Sequence, residues 1–153
     1  MAAGIDDGEP MTEPAPATPC HCQAVRQAAR QLTHFYDRHL ASTGLRASQY
    51  AVLAQIGRLE AASINRLAEA LVMDRTTLGR ALRPLQRDGL VVIGPGTDGR
   101  TRALRLTEAG QARLAAALPL WRRAQDAFEV HFGAEEALGL HAALIRLVRT
   151  LPD

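Results

Sequence analysis

The sequence predicts a mainly α-helical protein with one small β-hairpin. Most of the chain repeats apolar residues at spacings of three and four, which is the period of an amphipathic helix. The period changes only at residues 90–93, a β-branched run, which are followed by a loop rich in glycine and proline and by a second extended segment, residues 101–106. The chain has 153 residues, 47% hydrophobic and 22% charged, so its composition is that of a globular protein with one sizeable core.

Four helices are predicted before the hairpin. The first spans residues 23–40 and the second residues 48–59. Ser63 and Asp74 precede two further apolar-periodic segments, and both residue types accept hydrogen bonds from the free amides at a helix start. Only residues 72–73 separate these two helices, so we expect them to cross steeply as a helix-turn-helix.

Two long helices are predicted after the hairpin, one capped by Thr107 and one following Gly133. A helix-turn-helix followed by an arginine-bearing hairpin is a winged helix. Such a small unit cannot cover the apolar faces of the first and the last two helices, so we expect a homodimer in which they are buried. The expected organisation is a disordered acidic and proline-rich tail at 1–19, an N-terminal dimerisation helix at 20–45, a winged helix-turn-helix at 46–106 and C-terminal dimerisation helices at 107–153.

The charge of the chain is concentrated in two segments, although its net value is only +2. All 18 basic residues are arginine. Residues 1–19 carry four acidic residues and no basic one, whereas residues 75–105 carry seven arginines and two aspartates. A positive block in a nearly neutral chain marks the docking place of an anionic partner. The planar guanidinium suits both phosphate and guanine.

Several classes of protein are not expected from this sequence. It contains no apolar stretch long enough to span a membrane, and no secretory start, so we expect a cytoplasmic protein. Two cysteines cannot build the disulfide framework of a small secreted domain. There is no nucleophile–base signature, Cys-x-x-Cys pair or glycine-rich phosphate loop, so we expect neither an enzyme nor a cofactor.

Three motifs in a fixed order carry a family resemblance. They are the helix-turn-helix run Ile64-x-x-Leu67-Ala68-Glu69-x-Leu71, the segment Gly89-Leu90-Val91, and Asp98-Gly99-Arg100 followed after five residues by Leu106-Thr107. With these motifs the chain resembles the MarR family of bacterial transcription regulators over residues 22–150. The resemblance implies a two-fold symmetric dimer that binds pseudo-palindromic double-stranded DNA, more commonly as a repressor.

The fourth helix is the expected recognition helix. Its leucines would face the core, which leaves a polar face whose N-terminal residues enter the major groove. The candidate DNA contacts on this helix are Arg75, Thr76, Thr77, Arg80, Arg83 and Arg87. Arg80 is expected to read bases, and Arg83 and Arg87 to contact phosphate. Pro84 should kink this helix beyond its first two turns, and Gly79 lowers its helix propensity while allowing close approach to the DNA backbone.

The hairpin loop is expected to contact the minor groove. Arg100 matches the arginine that the family inserts there, where the potential is most negative. By the same resemblance, Asp98 orients arginines of the hairpin or of the recognition helix through an ion pair. Arg102 is a second candidate phosphate contact.

Two cysteines at the start of the first helix suggest a redox signal. Cys22 matches the reactive cysteine of the hydroperoxide-sensing branch of the family, and Tyr36 matches a tyrosine that hydrogen-bonds the thiolate. The positive end of a helix favours a thiolate, and Arg26, one turn later, would add to this effect. Cys20 is the second thiol within reach of an oxidised Cys22. Two other tyrosines of that branch are replaced here by Arg26 and Ala47, so the constellation is incomplete, and Cys22 as a partly buried apolar residue is the alternative.

Other interpretations of these residues stay open. Phe35, Trp121 and Phe128 could line a pocket for a small aromatic ligand, or they could be core residues. Metal binding at residues 20–22 is not expected, because a tetrahedral site needs four ligands at workable spacing. The rival functions are a thiol-based redox protein that does not bind DNA, and a winged helix that contacts proteins.

Overall fold

The computed structural model describes residues 18–59, 62–96 and 102–151, and in this part of the chain it contains six α-helices and three short strands. In chain order these are α1 (His21–Leu40), α2 (Ala47–Leu59), β1 (Ala62–Ser63), α3 (Ile64–Ala70), α4 (Arg75–Arg87), β2 (Val91–Pro95), β3 (Arg102–Leu106), α5 (Glu108–Phe132) and α6 (Ala134–Thr150). A 3-10 helix, Ala41–Thr43, follows α1. The predicted fold class, mainly helical with a small hairpin in a winged helix-turn-helix, is confirmed.

Side-chain caps fix where three of the helices begin. Ser63 Oγ accepts a hydrogen bond from the Arg66 amide at 3.2 Å, and Asp74 Oδ1 accepts one from the Thr77 amide at 2.8 Å. Thr107 Oγ1 does the same for the amide at the third position of α5. These are the caps that the sequence predicts, because each satisfies an amide that has no partner within its own helix.

The sheet is antiparallel, in the order β1-β3-β2, and its bounds differ from those predicted. The sequence places Gly94 in the loop, but β2 continues through Pro95, with Gly94 opposite Ala103 and Pro95 opposite Arg102. Proline is tolerated there because it ends an edge strand and need not donate to the ladder. The strand β1 was not predicted, because two residues show no alternation.

The turn of the helix-turn-helix is held by the backbone. The amides of Leu71 and Met73 donate to the carbonyls of Leu67 and Ala68, at 3.0 and 2.9 Å. Val72 lies between them with φ of 52°, a region that strains a β-branched residue, and its side chain is 71% exposed. The connection is longer than the two residues predicted from the sequence, because α3 ends at Ala70 and α4 begins at Arg75, so residues 71–74 join the two helices. Within it one residue, Val72, adopts the left-handed conformation.

The core lies in the helix-turn-helix lobe, which we define as residues 45–106. Its largest fully buried side chains come from α2, α3, α4 and β3: Leu53, Ile56, Leu67, Leu78, Leu85 and Leu104. By contrast, α5 buries only Gly110, Ala117 and Ala124, and α6 buries none of its residues. The apolar face of the last two helices is thus largely uncovered by the chain itself.

A tight junction joins this lobe to α5. Thr107 Oγ1 donates to the carbonyl of Gly89 at 2.6 Å, and its amide donates to the carbonyl of Leu90 at 3.1 Å. Gly110 packs so closely on the backbone of Leu90 that a Cβ at this position would overlap the Leu90 carbonyl oxygen. The end of α4 and the start of α5 are therefore fixed to each other by backbone contacts.

Candidate nucleic-acid interface

The helix α4 divides into a buried and a solvent-exposed face, as the sequence predicts. Leu78, Leu82 and Leu85 are buried against the core. All six candidate DNA contacts of this helix are exposed: Arg75, Thr76, Thr77, Arg80, Arg83 and Arg87. The helix continues through Pro84 to Arg87, so the proline does not end the recognition helix. The geometry thus offers one cationic helical face to a partner.

The cap of α4 also determines what Thr77 can offer to DNA. Thr77 Oγ1 donates to Asp74 Oδ2 at 2.7 Å while its amide donates to the other carboxylate oxygen. These hydrogen bonds, the one from the Thr77 backbone first, hold the pKa of Asp74 below its ordinary value. Because its hydroxyl proton is engaged in the cap, Thr77 has its methyl group and an oxygen acceptor to present to a base edge.

A groove of about 490 Å³ separates α4 from the β-hairpin. We call it the α4–hairpin groove. Its lining consists of Arg75, Gly79, Leu82 and Gln86 from α4, Ile93 and Arg102 from the hairpin, and Ser63, Ile64 and Asn65 from the start of α3. Two of the candidate DNA contacts, Arg75 and Arg102, are thereby brought to one concave surface. Sequence reasoning missed Ser63, Asn65 and Gln86, although Gln86 lies eleven residues after Arg75 on the same helical face.

The arginines of this surface differ in how they are held. Arg105 donates from Nη1 to the carbonyl of Pro95 at 3.0 Å and so braces the hairpin. Arg87 forms an exposed ion pair with its neighbour Asp88, with 3.1 Å between Nε and Oδ1. Within the described residues, the only other ion pair joins Arg46 to Asp37. An exposed pair of this kind is weak, so it leaves Arg87 able to turn toward a phosphate. The candidates Asp98 and Arg100 lie outside the described residues.

The two cysteines lie at the start of α1, Cys20 just before the helix and Cys22 within its first turn. Cys20 has extended backbone and caps the helix, its sulfur accepting a hydrogen bond from the Gln23 amide at 3.4 Å. Cys22 is the second residue of the helix, and both side chains are exposed. Within the single chain Cys22 is therefore not partly buried, so the alternative of a buried apolar residue has no support from contacts within one chain.

Tyr36 is too far from Cys22 to contact it within one chain. Fourteen residues of one helix separate them, which corresponds to about 21 Å along the axis. Its hydroxyl instead donates to Gln125 Oε1 on α5. Burial, and next the nearby Glu129 carboxylate, raise the pKa of Tyr36. A contact between Tyr36 and Cys22 therefore requires a second copy of the chain.

The three aromatic residues considered for a ligand pocket do not line a single cavity. Phe35 and Phe128 lie on one cavity, between α1 and α5. Trp121 lies on another, of about 310 Å³, where its ring stacks on Tyr50 with 5.8 Å between centroids and Arg58 contributes to the wall. Burial raises the pKa of Tyr50, and the charges of Arg58 and Arg122 oppose that rise.

The described residues contain neither a metal-ligand cluster nor a membrane-spanning helix. No group of three or more His, Cys, Asp and Glu side chains there is arranged to hold a metal ion. Nor is any helix of the described ranges long and apolar enough to cross a bilayer.

Comparison with known proteins identifies the family of the chain. The model of the MarR family matches residues 43–101. The Mycobacterium tuberculosis transcriptional regulator MosR, in a crystal structure with DNA, is 36% identical in sequence to this chain. The match covers 84% of this chain and 98% of that chain, with a TM-score of 0.69. The chain belongs to the MarR family. It is therefore a DNA-binding transcription regulator and not an enzyme, and the interpretation as a thiol-based redox protein without DNA binding is wrong.

Two further structures place the MarR-family fold in a wider set. A probable transcriptional regulator from Pseudomonas aeruginosa is 26% identical, with 83% of this chain and 96% of that chain covered and a TM-score of 0.74. MarR from Escherichia coli, at 21% identity, 88% and 99% coverage and a TM-score of 0.66, shares the fold. No curated protein sequence gives a significant match.

Proposed function

We propose that this MarR-family regulator is a homodimeric repressor that binds a pseudo-palindromic operator and leaves it on a small-molecule or oxidative signal. The observation that carries the proposal is the exposed cationic face of α4, in a chain whose other long helices leave their apolar side chains uncovered. The MosR structure, which contains DNA, supports the assignment of nucleic acid as the partner.

The uncovered apolar side chains support the homodimer. The large exposed ones on α5 and α6 include Val130, Phe132, Leu138 and Val148. Exposed apolar surface of this extent marks an association site, and a second copy supplies a self-complementary cover. A two-fold dimer carries two α4 helices related by symmetry, so its operator is expected to consist of two inverted half-sites.

The assignment of α4 as the reading element is tested with Arg80→Ala. We expect specific binding to weaken by about 1–3 kcal/mol, and discrimination to be lost at one base position in each half-site, because a forked contact to a base edge disappears. An electrophoretic shift assay over operator point mutants measures this effect. Arg123→Ala on α5 removes the same charge away from α4 and serves as the control. If Arg80→Ala keeps the wild-type rank order over all operator mutants, Arg80 does not read bases.

The hairpin contribution is tested with Arg100→Ala. A minor-groove arginine adds affinity more than sequence selectivity, so binding to most operators should weaken and the salt slope should fall by about one unit. By the family resemblance, Asp98→Ala should weaken binding indirectly, by releasing an arginine that the carboxylate orients. Unchanged affinity of Arg100→Ala would remove the hairpin from the interface.

For the oxidative signal, we propose that Cys22 is the residue that is oxidised. Its thiolate attacks a hydroperoxide to give a sulfenate and an alcohol, and the sulfenic acid then condenses with a second thiol, releasing water. The exposure of both cysteines supports access of the oxidant and of the second thiol. Arg26 follows Cys22 by four residues on α1, and its guanidinium is the candidate partner of the thiolate. Tyr36 of the second copy remains a candidate hydrogen-bond donor to it.

Cumene hydroperoxide in modest excess should therefore release operator DNA, and reductant should restore binding. Cys22→Ser should abolish the response while keeping the affinity of the reduced protein. Non-reducing electrophoresis distinguishes a disulfide between subunits from a Cys20–Cys22 disulfide within one chain, because only the first doubles the apparent mass. If the wild type and Cys22→Ser respond alike, the oxidative part of the proposal fails.

For the small-molecule signal, we propose an anionic aromatic ligand in the cavity beside Trp121. The stacked ring of Tyr50 offers a flat apolar wall, and Arg58 offers a guanidinium for a carboxylate. Arg58→Ala should then raise the concentration of an aromatic carboxylate needed to release DNA, in a fluorescence anisotropy titration. Release of DNA from the wild type and from this variant at the same concentration would exclude the cavity.

A further inference from the structure

We propose that the α4–hairpin groove receives the phosphodiester backbone of one DNA strand, and that Gly79 in its lining sets how closely that strand approaches. The inference rests on the DNA-binding role of the chain and adds a positioning residue to it. It begins from a glycine that the fold itself does not require.

Gly79 differs from the glycines that the fold requires for their backbone conformation or close packing. Gly44, Gly89 and Gly133 have positive φ, and Gly110 packs on a backbone carbonyl, so in all four a side chain would be strained or would overlap. Gly79 is helical, and a Cβ built on it would meet no heavy atom within 4 Å. Glycine inside a helix destabilises it relative to alanine. The free protein would therefore be more stable with alanine at this position.

The walls of the groove fit a phosphodiester. Arg75 on α4 and Arg102 on β3 supply guanidinium groups on either side, and Asn65 and Gln86 supply amide donors. Ser63 Oγ accepts its capping hydrogen bond from Arg66, so its own proton is available to donate. Among the residues that the structure describes, which exclude 97–101 of the hairpin, the lining includes no acidic side chain. Cations and neutral donors without a carboxylate are the chemistry of phosphate binding.

The position of the groove points to a DNA strand as the source of that phosphate. With α4 in the major groove and the hairpin at the minor groove, one strand must cross between the two elements. The groove is the concave surface between them, and Gly79, Leu82 and Ile93 belong to its lining. Without a side chain at position 79, the sugar-phosphate backbone is able to approach the main chain of α4.

The test compares Gly79→Ala and Gly79→Leu with Gly57→Ala. Gly57 lies on α2, where an added Cβ would make only ordinary contacts, 3.5 Å from Leu106 and Leu114 side-chain carbons. Gly79→Ala should raise the melting temperature by about 2–4 °C, because helix propensity improves in a chain of this size. The same variant should bind DNA at least about tenfold more weakly, on operator and non-specific DNA alike, because the contact is to the backbone. The leucine variant should lose more, and Gly57→Ala should keep the wild-type affinity.

A second pair of variants leaves the backbone of α4 unaltered. Gln86→Glu is nearly isosteric and places a negative charge in the groove, so it should weaken DNA binding at least about tenfold, an effect that salt reduces. Gln111→Glu adds the same charge at an exposed position of α5 and should have little effect. Inorganic phosphate is the third probe. Competition by phosphate beyond that of chloride at equal ionic strength is expected if DNA occupies the groove, whereas phosphate that binds the protein without displacing DNA would indicate a site for free anions and overturn the assignment to a DNA strand.

Two results would overturn the inference in different ways. If the wild type binds operator DNA and Gly79→Ala and Gln86→Glu bind it equally well, the groove does not hold the strand, and the DNA-binding role stands. If the wild type binds neither operator nor non-specific DNA, the DNA-binding role and the inference fail together.

Discussion

The helix-turn-helix lobe buries most of its large apolar side chains within one chain, whereas α6 buries none. In the lobe, Leu53, Leu67, Leu78, Leu85 and Leu104 are inaccessible to solvent. On the last two helices, Val130 is 81% exposed and Leu138 is 70% exposed. The comparison indicates that the lobe covers its own core, whereas the last two helices leave an apolar face for the proposed second copy to cover.

The largest effect is expected from removing α6. Deleting residues 135–153 takes away most of the proposed dimer interface, so we expect an aggregating or unstable chain, because dimer and fold are thermodynamically linked. Sedimentation velocity on the purified variant measures this. A well-folded monomer at micromolar concentration would contradict the contrast between lobe and helices.

Two leucine-to-alanine substitutions separate the regions by concentration dependence. Leu78→Ala leaves a cavity in the lobe and should lower the free energy of unfolding by about 2–5 kcal/mol at any protein concentration. Leu138→Ala should change the stability of the monomer by less than about 0.5 kcal/mol. It should, however, make the melting temperature depend more strongly on protein concentration, as for a weakened dimer. Thermal melts at two protein concentrations distinguish the two variants. If both lower the melting temperature equally at both concentrations, the lobe and the last two helices do not differ in this way.

The junction between the regions is tested with Gly110→Ala. The added Cβ would overlap the carbonyl oxygen of Leu90, so the free energy of unfolding should fall by about 1–3 kcal/mol. Gly139→Ala is the matched control on α6, where a Cβ meets no heavy atom within 4 Å. Chemical denaturation measures both variants. A junction that tolerates alanine would indicate that the two regions are coupled less tightly than the backbone contacts imply.

The smallest effect concerns pH and the cap of α4. The pKa of Asp74 is lowered in the folded protein, so its contribution to stability is present above the ordinary value of 3.8 and is lost as pH falls through the folded value. Asp74→Asn keeps a cap that does not titrate. Its melting temperature should therefore fall less steeply than that of the wild type below about pH 4. Parallel slopes for the two proteins would show that the cap does not contribute to acid sensitivity.

The sequence predicted most of what depends on local patterns. Helix caps at Ser63, Asp74 and Thr107 follow from side-chain type, and the exposed face of α4 follows from the spacing of its leucines. The features that were missed arise from tertiary contacts. Nothing in a two-residue segment such as β1 predicts a strand, and the contribution of Asn65 to the α4–hairpin groove depends on how α3 packs beside α4. Cys20 as the cap of α1 was missed because sulfur is a weak acceptor and an unusual helix cap.

The contact between Gly110 and Leu90 fixes the start of α5 beside the end of the recognition helix, so a tilt of α5 would pivot at this contact. The helix has 25 residues and is therefore about 37 Å long. A tilt of about 5° about the Gly110–Leu90 contact would displace the far end of α5 by about 3 Å. Conversely, a small displacement of the far ends in a dimer would turn both recognition helices relative to each other. Successive major-groove segments on one face of DNA have a fixed separation. A rotation of a few degrees would therefore move both recognition helices out of register with the major groove at once.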